Sequence, residues 1–452
     1  MGEGVWAHRP LVPSPKNISK DLTMTVKLQL ALDFVDLHRA VLVAEKAVAA
    51  GVDWLEVGTP LIKSEGLDAV RELKRRFPGK TLVADMKIMD AGRVEVESAA
   101  KAGARIIDVL GTATDATIEE CVQAGKNYGA HIVVDLIAVS DPVARARRAE
   151  ELGADYITVH VAIDEQMRGL DPFAVLQAVS QAVRIPVGVA GGINSETAAQ
   201  AVAHGASYVI VGGAITKAKD PEVATRDIRR ALDEGAVIPT TLFKRAGEED
   251  IRRVLEMVST ANLSDALHRG GVLEGIRPLF AGLRVVGQAL TVRTYPGDWA
   301  KPVEAIDMAN PGDILVIDAG GVGPAIWGEL ATNSAVQKGL AGVVIHGGLR
   351  DSGDIIKLKF PSFTRLVMPN AGEPRGFGEI GLPIRIGHTR VETGDWLLGD
   401  DDGVAVLPQR QAVEYANRAM DVLEKENRIR EEIMEGRTLA QVTDLLRWEK
   451  KV

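Results

Sequence analysis

Cysteine is almost absent: Cys121 is the one such residue in 452. That excludes an intramolecular disulfide and any cysteine-based zinc site, and leaves Cys121 as a small residue of a helix-like stretch. Aromatic residues make up only 4%, too few for the stacking platforms on which single-stranded nucleic acids lie. Positive charge is in deficit, with 53 Lys and Arg against 62 Asp and Glu for a net −9. Without a long basic run, a phosphate-backbone footprint is not expected, and Lys74-Arg75-Arg76 reads as a solvated helix face. No apolar run reaches membrane-spanning length. Residues 1–23, with Pro10, Pro13 and Pro15, lack the apolar core of a signal peptide and read as an extension. A cytoplasmic protein is expected, binding neither nucleic acid nor membrane.

What is present is an ordinary globular composition, 46% hydrophobic and 25% charged, in a chain long enough for two or three domains. From Lys27 to about Leu232, short apolar runs alternate with amphipathic stretches at βα spacing. Eight such runs in roughly 200 residues predict a (β/α)8 TIM barrel, with an open doubly wound sheet as the alternative. Expected boundaries are 24–236 for the barrel, 237–250 for a linker, 251–410 for a second domain and 411–452 for a helical extension.

Polar residues recur at the ends of these runs. Asp33, Glu56, Asp85, Asp108, Asp135 and His160 each stand at or near a strand's carboxyl end, the face on which such barrels build their sites. Asp85-Met86-Lys87-Ile88-Met89-Asp90 is the densest of these stretches. Strand alternation turns Asp85 and Lys87 to one side, into the interior, and burying them unpaired costs several kcal/mol. Either a polar site or a structural ion pair meets that requirement. The last two runs end instead in Gly191-Gly192 and Gly212-Gly213. Glycine lets backbone amides approach an anion, and the loops after the last two strands are the usual phosphate site of these barrels.

Residues 85–92, Val109-Leu110-Gly111, residues 134–137, His160 with Asp164-Glu165-Gln166, Ala190-Gly191-Gly192, residues 211–215 and residues 56–63 together resemble the 3-hexulose-6-phosphate synthases. That family belongs to the orotidine-monophosphate decarboxylase superfamily, and the likeness spans residues 26–232. It implies a reversible aldol condensation of formaldehyde with ribulose 5-phosphate, giving 3-hexulose 6-phosphate, with Mg²⁺ or Mn²⁺ as cofactor. Glu56 and Asp90 are then the expected metal ligands. Lys87 would stabilise the enediolate oxygen, and His160 would move a proton at the reacting carbon. Asp33 and Asp85 would orient Lys87 and the sugar hydroxyls, and Asp135 is a second proton-handling candidate. The resemblance also extends to two sibling decarboxylases. Orotidine-monophosphate decarboxylases usually carry an arginine where Gly213 stands. Keto-gulonate-phosphate decarboxylases tend to carry a glutamate at Asp135 and an arginine at Ile163.

Past the linker, Trp327-Gly328-Glu329-Leu330-Ala331 and residues 343–351, ending in Arg350-Asp351, carry the second set of polar groups. An Arg beside an Asp at a strand end can clamp a carboxylate while the Asp reaches a metal, or can be a plain salt bridge. With Pro311-Gly312-Asp313, Asp318-Ala319-Gly320-Gly321, Pro374-Arg375-Gly376 and residues 399–404, this pattern resembles the ribonuclease-regulator (RraA-like) and 4-hydroxy-4-methyl-2-oxoglutarate aldolase family. It implies a swivelling mixed α/β domain in a homo-oligomer, with Mg²⁺ at Asp351. A 2-oxo acid would be held by Arg350 and the amides of Leu330 and Ala331, with Glu329 supporting the metal's waters. His346 stands where the aldolases usually have an acid. A protein-binding role is the alternative for this domain, and the segments 413–434 and 445–448 are expected to serve packing or oligomerisation.

Overall fold

The computed structural model describes residues 25–240 and 243–442, so the extension at 1–23 and the stretch 445–448 lie outside the described residues. Eight strands close into a barrel: β1 (Lys27–Leu32), β2 (Trp54–Val57), β3 (Thr81–Ile88), β4 (Ile106–Leu110), β5 (His131–Asp135), β6 (Tyr156–His160), β7 (Val187–Ala190) and β8 (Tyr208–Val211). All neighbours are parallel, and β8 closes on β1 with Gln29 opposite Ile210. The open sheet is therefore excluded.

The period of two explains both surfaces of the barrel wall. In β1, Leu28, Leu30 and Leu32 point outward and are fully buried under the helices, whereas Gln29 and Ala31, with Asp33 just beyond the strand, line the interior. Three aromatics meet at the amino-terminal end of the barrel. Trp54, Tyr156 and Tyr208 begin β2, β6 and β8, with ring centroids 5.3–5.9 Å apart, in the edge-on and tilted contacts that aromatic rings favour. Tyr208 Oη is satisfied by Thr158 Oγ1 at 2.8 Å and by the carbonyl of Ile157 at 2.9 Å. This plug is the floor of the interior and leaves the opposite end open for polar groups.

The second domain is built on a nine-stranded mixed sheet. Its centre is parallel, with Val285–Arg293 beside Ile314–Asp318, then Gly342–Leu349, then Ser362–Val367. Antiparallel strands Trp396–Asp400 and Gly403–Leu407 extend one side. The helix Ala412–Met434 then returns to the barrel. Its buried face, Ala412, Ala416, Ala419 and Met420, packs with Ile251, Val254 and Leu263. Asn417 is fully buried on that face. Its Oδ1 accepts from Ala246 N at 2.7 Å, and its Nδ2 donates to the carbonyl of Met167 at 2.8 Å. One amide thus ties the joining segment, the terminal helix and the barrel together.

Asn417→Leu keeps the volume but strands the buried N–H of Ala246 and the carbonyls of Met167 and Ala246. The expected loss is about 2 kcal/mol, read as a lower denaturation midpoint of the full chain; an unchanged midpoint would refute this role for the amide.

Candidate active site

At the carboxyl end of the barrel, Asp33, Glu56, Asp85, Lys87, Asp108, Asp135 and His160 line one cavity of about 1080 Å³. Strand ends bring them there, with one local departure from regular alternation. The β3–β4 register shifts between Ala84 and Ile88, and Lys87 takes a left-handed backbone, φ 48°. Side chains rarely hold that conformation unless their surroundings impose it. Lys87 Nζ donates to Asp85 Oδ1 at 2.9 Å and to Asp135 Oδ2 at 3.2 Å. Asp85 Oδ2 accepts from Thr59 Oγ1 at 2.7 Å.

Asp135 is the hub. Besides Lys87, its Oδ2 bonds His160 Nδ1 at 2.8 Å, and its Oδ1 accepts from Ile137 N at 2.9 Å. Burial pushes the Asp135 carboxyl up, but the bond to His160, the charges of His160 and Lys87 and the Ile137 amide outweigh it and hold the group below its usual range. Burial likewise opposes the Lys87 ammonium. The carboxylates of Asp85, Asp108 and Asp135 overcome that, so Lys87 is held charged, above an ordinary lysine. With Nδ1 engaged by Asp135, His160 keeps Nε2 for the cavity.

Glu56 is buried, and its Oε2 accepts from Gln29 Nε2 at 2.6 Å. Burial and the nearby charges of Asp85 and Asp33 raise it well above a usual glutamate. Asp33 keeps contact with solvent at the cavity mouth while enclosed by neighbours. That confinement, then the Asp85 charge, raises its carboxyl as well. Space for Asp33 comes from Gly58, where a Cβ would stand 2.2 Å from Asp33 Oδ1.

Asp90 departs from the sequence expectation. Lys87 at φ 48° and Ala91 at φ 51° turn the chain out of the barrel on either side of it. Asp90 is exposed, does not line the cavity, and with burial helps raise the outlying Glu95. Glu56 and Asp90 are therefore not assembled into one metal site within this chain. The carboxylates that press on Glu56 are Asp85 and Asp33. Among the described residues, no three His, Cys, Asp or Glu side chains group closely enough to chelate an ion unaided. A Mg²⁺ ion needs only one or two carboxylates because it retains waters and takes substrate oxygens. Crowded, hard-oxygen Glu56 and Asp85 meet that requirement.

Gly191, Gly192, Gly212 and Gly213 line the same cavity. Gly191 at φ 111° could carry no side chain, since a Cβ would lie 2.9 Å from the carbonyl of Val161. The sequence reading missed Lys217, Phe243, Lys244, Arg245 and Glu424, which reach this cavity from beyond the last strand. The charge cluster in the joining segment was visible, but nothing in its spacing aimed it at the barrel. Cys121 has no part in the site: burial pushes its thiol up to about 12.

In the second domain, Asp351 Oδ2 accepts from Glu329 N at 3.1 Å and stands 3.5 Å from Arg350 Nε. The helix Glu329–Lys338 thus opens directly on the Arg-Asp pair. Leu330 and Ala331 lie in its first turn, where amides have no intrahelical acceptor. His346 is satisfied on both sides, Nδ1 by Asp318 Oδ1 at 2.8 Å and Nε2 by Arg365 Nη1 at 3.3 Å, as a strand-end histidine anchored in the fold.

A closed barrel with a lysine–carboxylate–histidine cluster and glycine-ended last strands defines a lyase-type enzyme of the orotidine-monophosphate decarboxylase class, and sequence comparison agrees. Residues 26–228 match the family model described as Orotidine 5'-phosphate decarboxylase / HUMPS family, and residues 260–406 match Aldolase/RraA. The 3-hexulose-6-phosphate synthase of Mycobacterium gastri is 41% identical over 208 residues, 46% of this chain and 100% of the relative. That of Bacillus subtilis is 40% identical over 211 residues, again 46% and 100%. The crystal structure of the Salmonella typhimurium 3-hexulose-6-phosphate synthase, 41% identical, covers 46% of this chain and 100% of its own, with a TM-score of 0.45. Through its barrel the chain belongs to the 3-hexulose-6-phosphate synthase family, and a RraA-like domain is fused behind it.

Asp108 stands on β4, facing the same interior. It is buried, its Oδ1 has no hydrogen-bond partner among the described residues, and burial, then Asp135 and Asp85, raise it well above a usual aspartate. The folded state keeps a proton that the unfolded chain releases above about pH 4. Stability therefore falls as pH rises from there toward the raised folded value. Asp108→Asn should remove this fall: the variant gains on the wild type by about 1.4 kcal/mol per pH unit across that window. Melting curves of both proteins from pH 4 to 8 check it, and parallel curves would refute it.

Proposed function

We propose that the barrel catalyses the reversible, Mg²⁺- or Mn²⁺-dependent aldol condensation of formaldehyde with D-ribulose 5-phosphate to 3-hexulose 6-phosphate. The observation that carries this reading is the double use of Asp135, which holds a permanently charged lysine and a histidine over one cavity. His160 Nε2 removes the proton from C1 of ribulose 5-phosphate. The electron pair moves onto the C2 oxygen as an enediolate, and Lys87 stabilises that charge. C1 then adds to the formaldehyde carbon, the new alkoxide takes a proton, and the former C2 ketone becomes C3 of the product. A divalent cation held by Glu56 and Asp85 would supply further stabilisation of negative oxygen. Asp33, at the mouth, is placed to orient sugar hydroxyls. Gly191, Gly192, Gly212 and Gly213 form the corner for the phosphate.

Formaldehyde release from hexulose 6-phosphate by the full chain tests this directly. Release should be lost with chelator and restored by Mg²⁺ or Mn²⁺. Lys87→Ala and His160→Ala should each cut turnover at least about a hundredfold. Full activity in either variant would remove that residue's role. No release at all, with CO₂ evolved from a keto-gulonate phosphate, would assign the barrel to the sibling decarboxylases.

For the second domain we propose a 2-oxo-acid lyase site. Arg350 and the free amides of Leu330 and Ala331 would take the substrate carboxylate, and Asp351 with Glu329 the waters of a Mg²⁺ ion. The support is the opening of the helix Glu329–Lys338 onto Arg350 and Asp351, which puts anion donors and a carboxylate at one spot. Asp351→Ala should abolish Mg²⁺-dependent decarboxylation of oxaloacetate at this domain. If the wild type has no such activity against oxaloacetate or other 2-oxo acids, a protein-binding role takes its place.

A further inference from the structure

The phosphate corner is not built by the barrel alone. A Cβ on Gly213 would lie 3.6 Å from Cε of Lys217 and 4.0 Å from its Nζ, so this ammonium sits over the glycine. Asp421, on the helix Ala412–Met434, pairs with Lys217 and holds it there. Phe243, Lys244 and Arg245, from the segment that joins the domains, line the same cavity as the four glycines. Lys244 is engaged by Glu196 at 2.7 Å. Arg245 differs: it is half-buried, yet its guanidinium has no hydrogen bond or ion pair among the described residues.

The segment carrying Arg245 is pinned on both sides. Phe243 N donates to Glu424 Oε1 at 2.8 Å, and Ala246 N to Asn417 Oδ1 at 2.7 Å. A fixed, partly desolvated cation without a partner is costly unless an anion meets it. The anion that fits beside glycine amides and two cations is a phosphate, to which guanidinium and ammonium groups bind through charge-assisted hydrogen bonds.

We infer that Lys217 and Arg245 are the ionic ligands of the substrate's phosphate, so that chain beyond the barrel completes the barrel's own binding site. This rests on reading the substrate as a sugar phosphate.

Lys217→Met and Arg245→Met remove the charge and keep most of the apolar stem. Calorimetric titration of inorganic phosphate into the full-length protein should show each variant weakening the Kd about tenfold. KM for hexulose 6-phosphate should rise in parallel, with kcat little changed. Lys219→Met, which removes an exposed lysine paired with Glu431 at 3.5 Å, is the control and should leave the phosphate Kd within about twofold. An unchanged Kd in both variants, or a wild type that does not bind phosphate, would overturn the inference. A loss confined to one variant would overturn the other residue's assignment. Calorimetry reads the phosphate site whether or not the aldol reaction is found. Phosphate binding that depends on both residues, in a protein that does not turn over hexulose 6-phosphate, would therefore reject the reaction and keep the site.

Discussion

Charge balance in the barrel interior is the constraint on which the rest of the structure depends. Five carboxylates, Asp33, Glu56, Asp85, Asp108 and Asp135, converge on one lysine and one histidine. At the effective dielectric of a protein, like charges a few ångströms apart repel by several kcal/mol, so these five are not all ionised around Lys87 and His160. The groups divide accordingly. Asp135 stays ionised because Lys87, His160 and a backbone amide all bond to it, while Glu56, Asp33 and Asp108 are driven toward the protonated form. A divalent cation is the other way to balance them.

That constraint also accounts for the backbone. A regular β3 would present Asp85 and Lys87 at the spacing of alternate residues and go no further. The irregularity between Ala84 and Ile88, with Lys87 left-handed, lets one ammonium bridge Asp85 and Asp135 across neighbouring parts of the barrel. The bond network over-determines the strained conformation, which is the condition under which such strain persists. Removing the aromatic floor would have a different consequence. Trp54, Tyr156 and Tyr208 fill the other end of the barrel, so the polar groups gather at one open mouth instead of lining a channel.

The barrel and most of its polar cluster were legible in the sequence for a simple reason. Each strand is a short apolar run whose inward residues repeat every two positions, and the chemistry stands where the run stops. Asp33, Glu56, Asp85, Asp135 and His160 all follow that rule. Asp90 did not, because its direction depends on two left-handed residues, Lys87 and Ala91, that no periodicity announces. Lys217, Arg245 and Glu424 were illegible for another reason. Their placement depends on contacts between residues far apart in sequence, such as Asn417 with Met167, and no local pattern records such a pairing. In the second domain the Arg350-Asp351 pair could be read, but not that Asp351 would accept the Glu329 amide. That contact needs Gly328, where a Cβ would stand 2.5 Å from Asp351 Oδ2.

The contacts between the terminal helix and the barrel are unequal in strength, and the inequality has a direction. Near its start, Asn417 is fully buried and bonds three backbone groups, the N–H and carbonyl of Ala246 and the carbonyl of Met167, an arrangement expensive to break. Toward its end the helix is held by ion pairs, Glu432 with the half-buried Arg39 and Glu431 with Lys219, and an exposed pair such as the second contributes at most about 1 kcal/mol. Asp421, which pairs with Lys217, and Glu424, which lines the cavity, lie between these two regimes. Loosening the far end therefore costs far less than detaching the near one. The geometry concentrates rigidity at Asn417, which fixes the segment bearing Arg245, and leaves the weaker, screened contacts where the helix runs on past the cavity mouth.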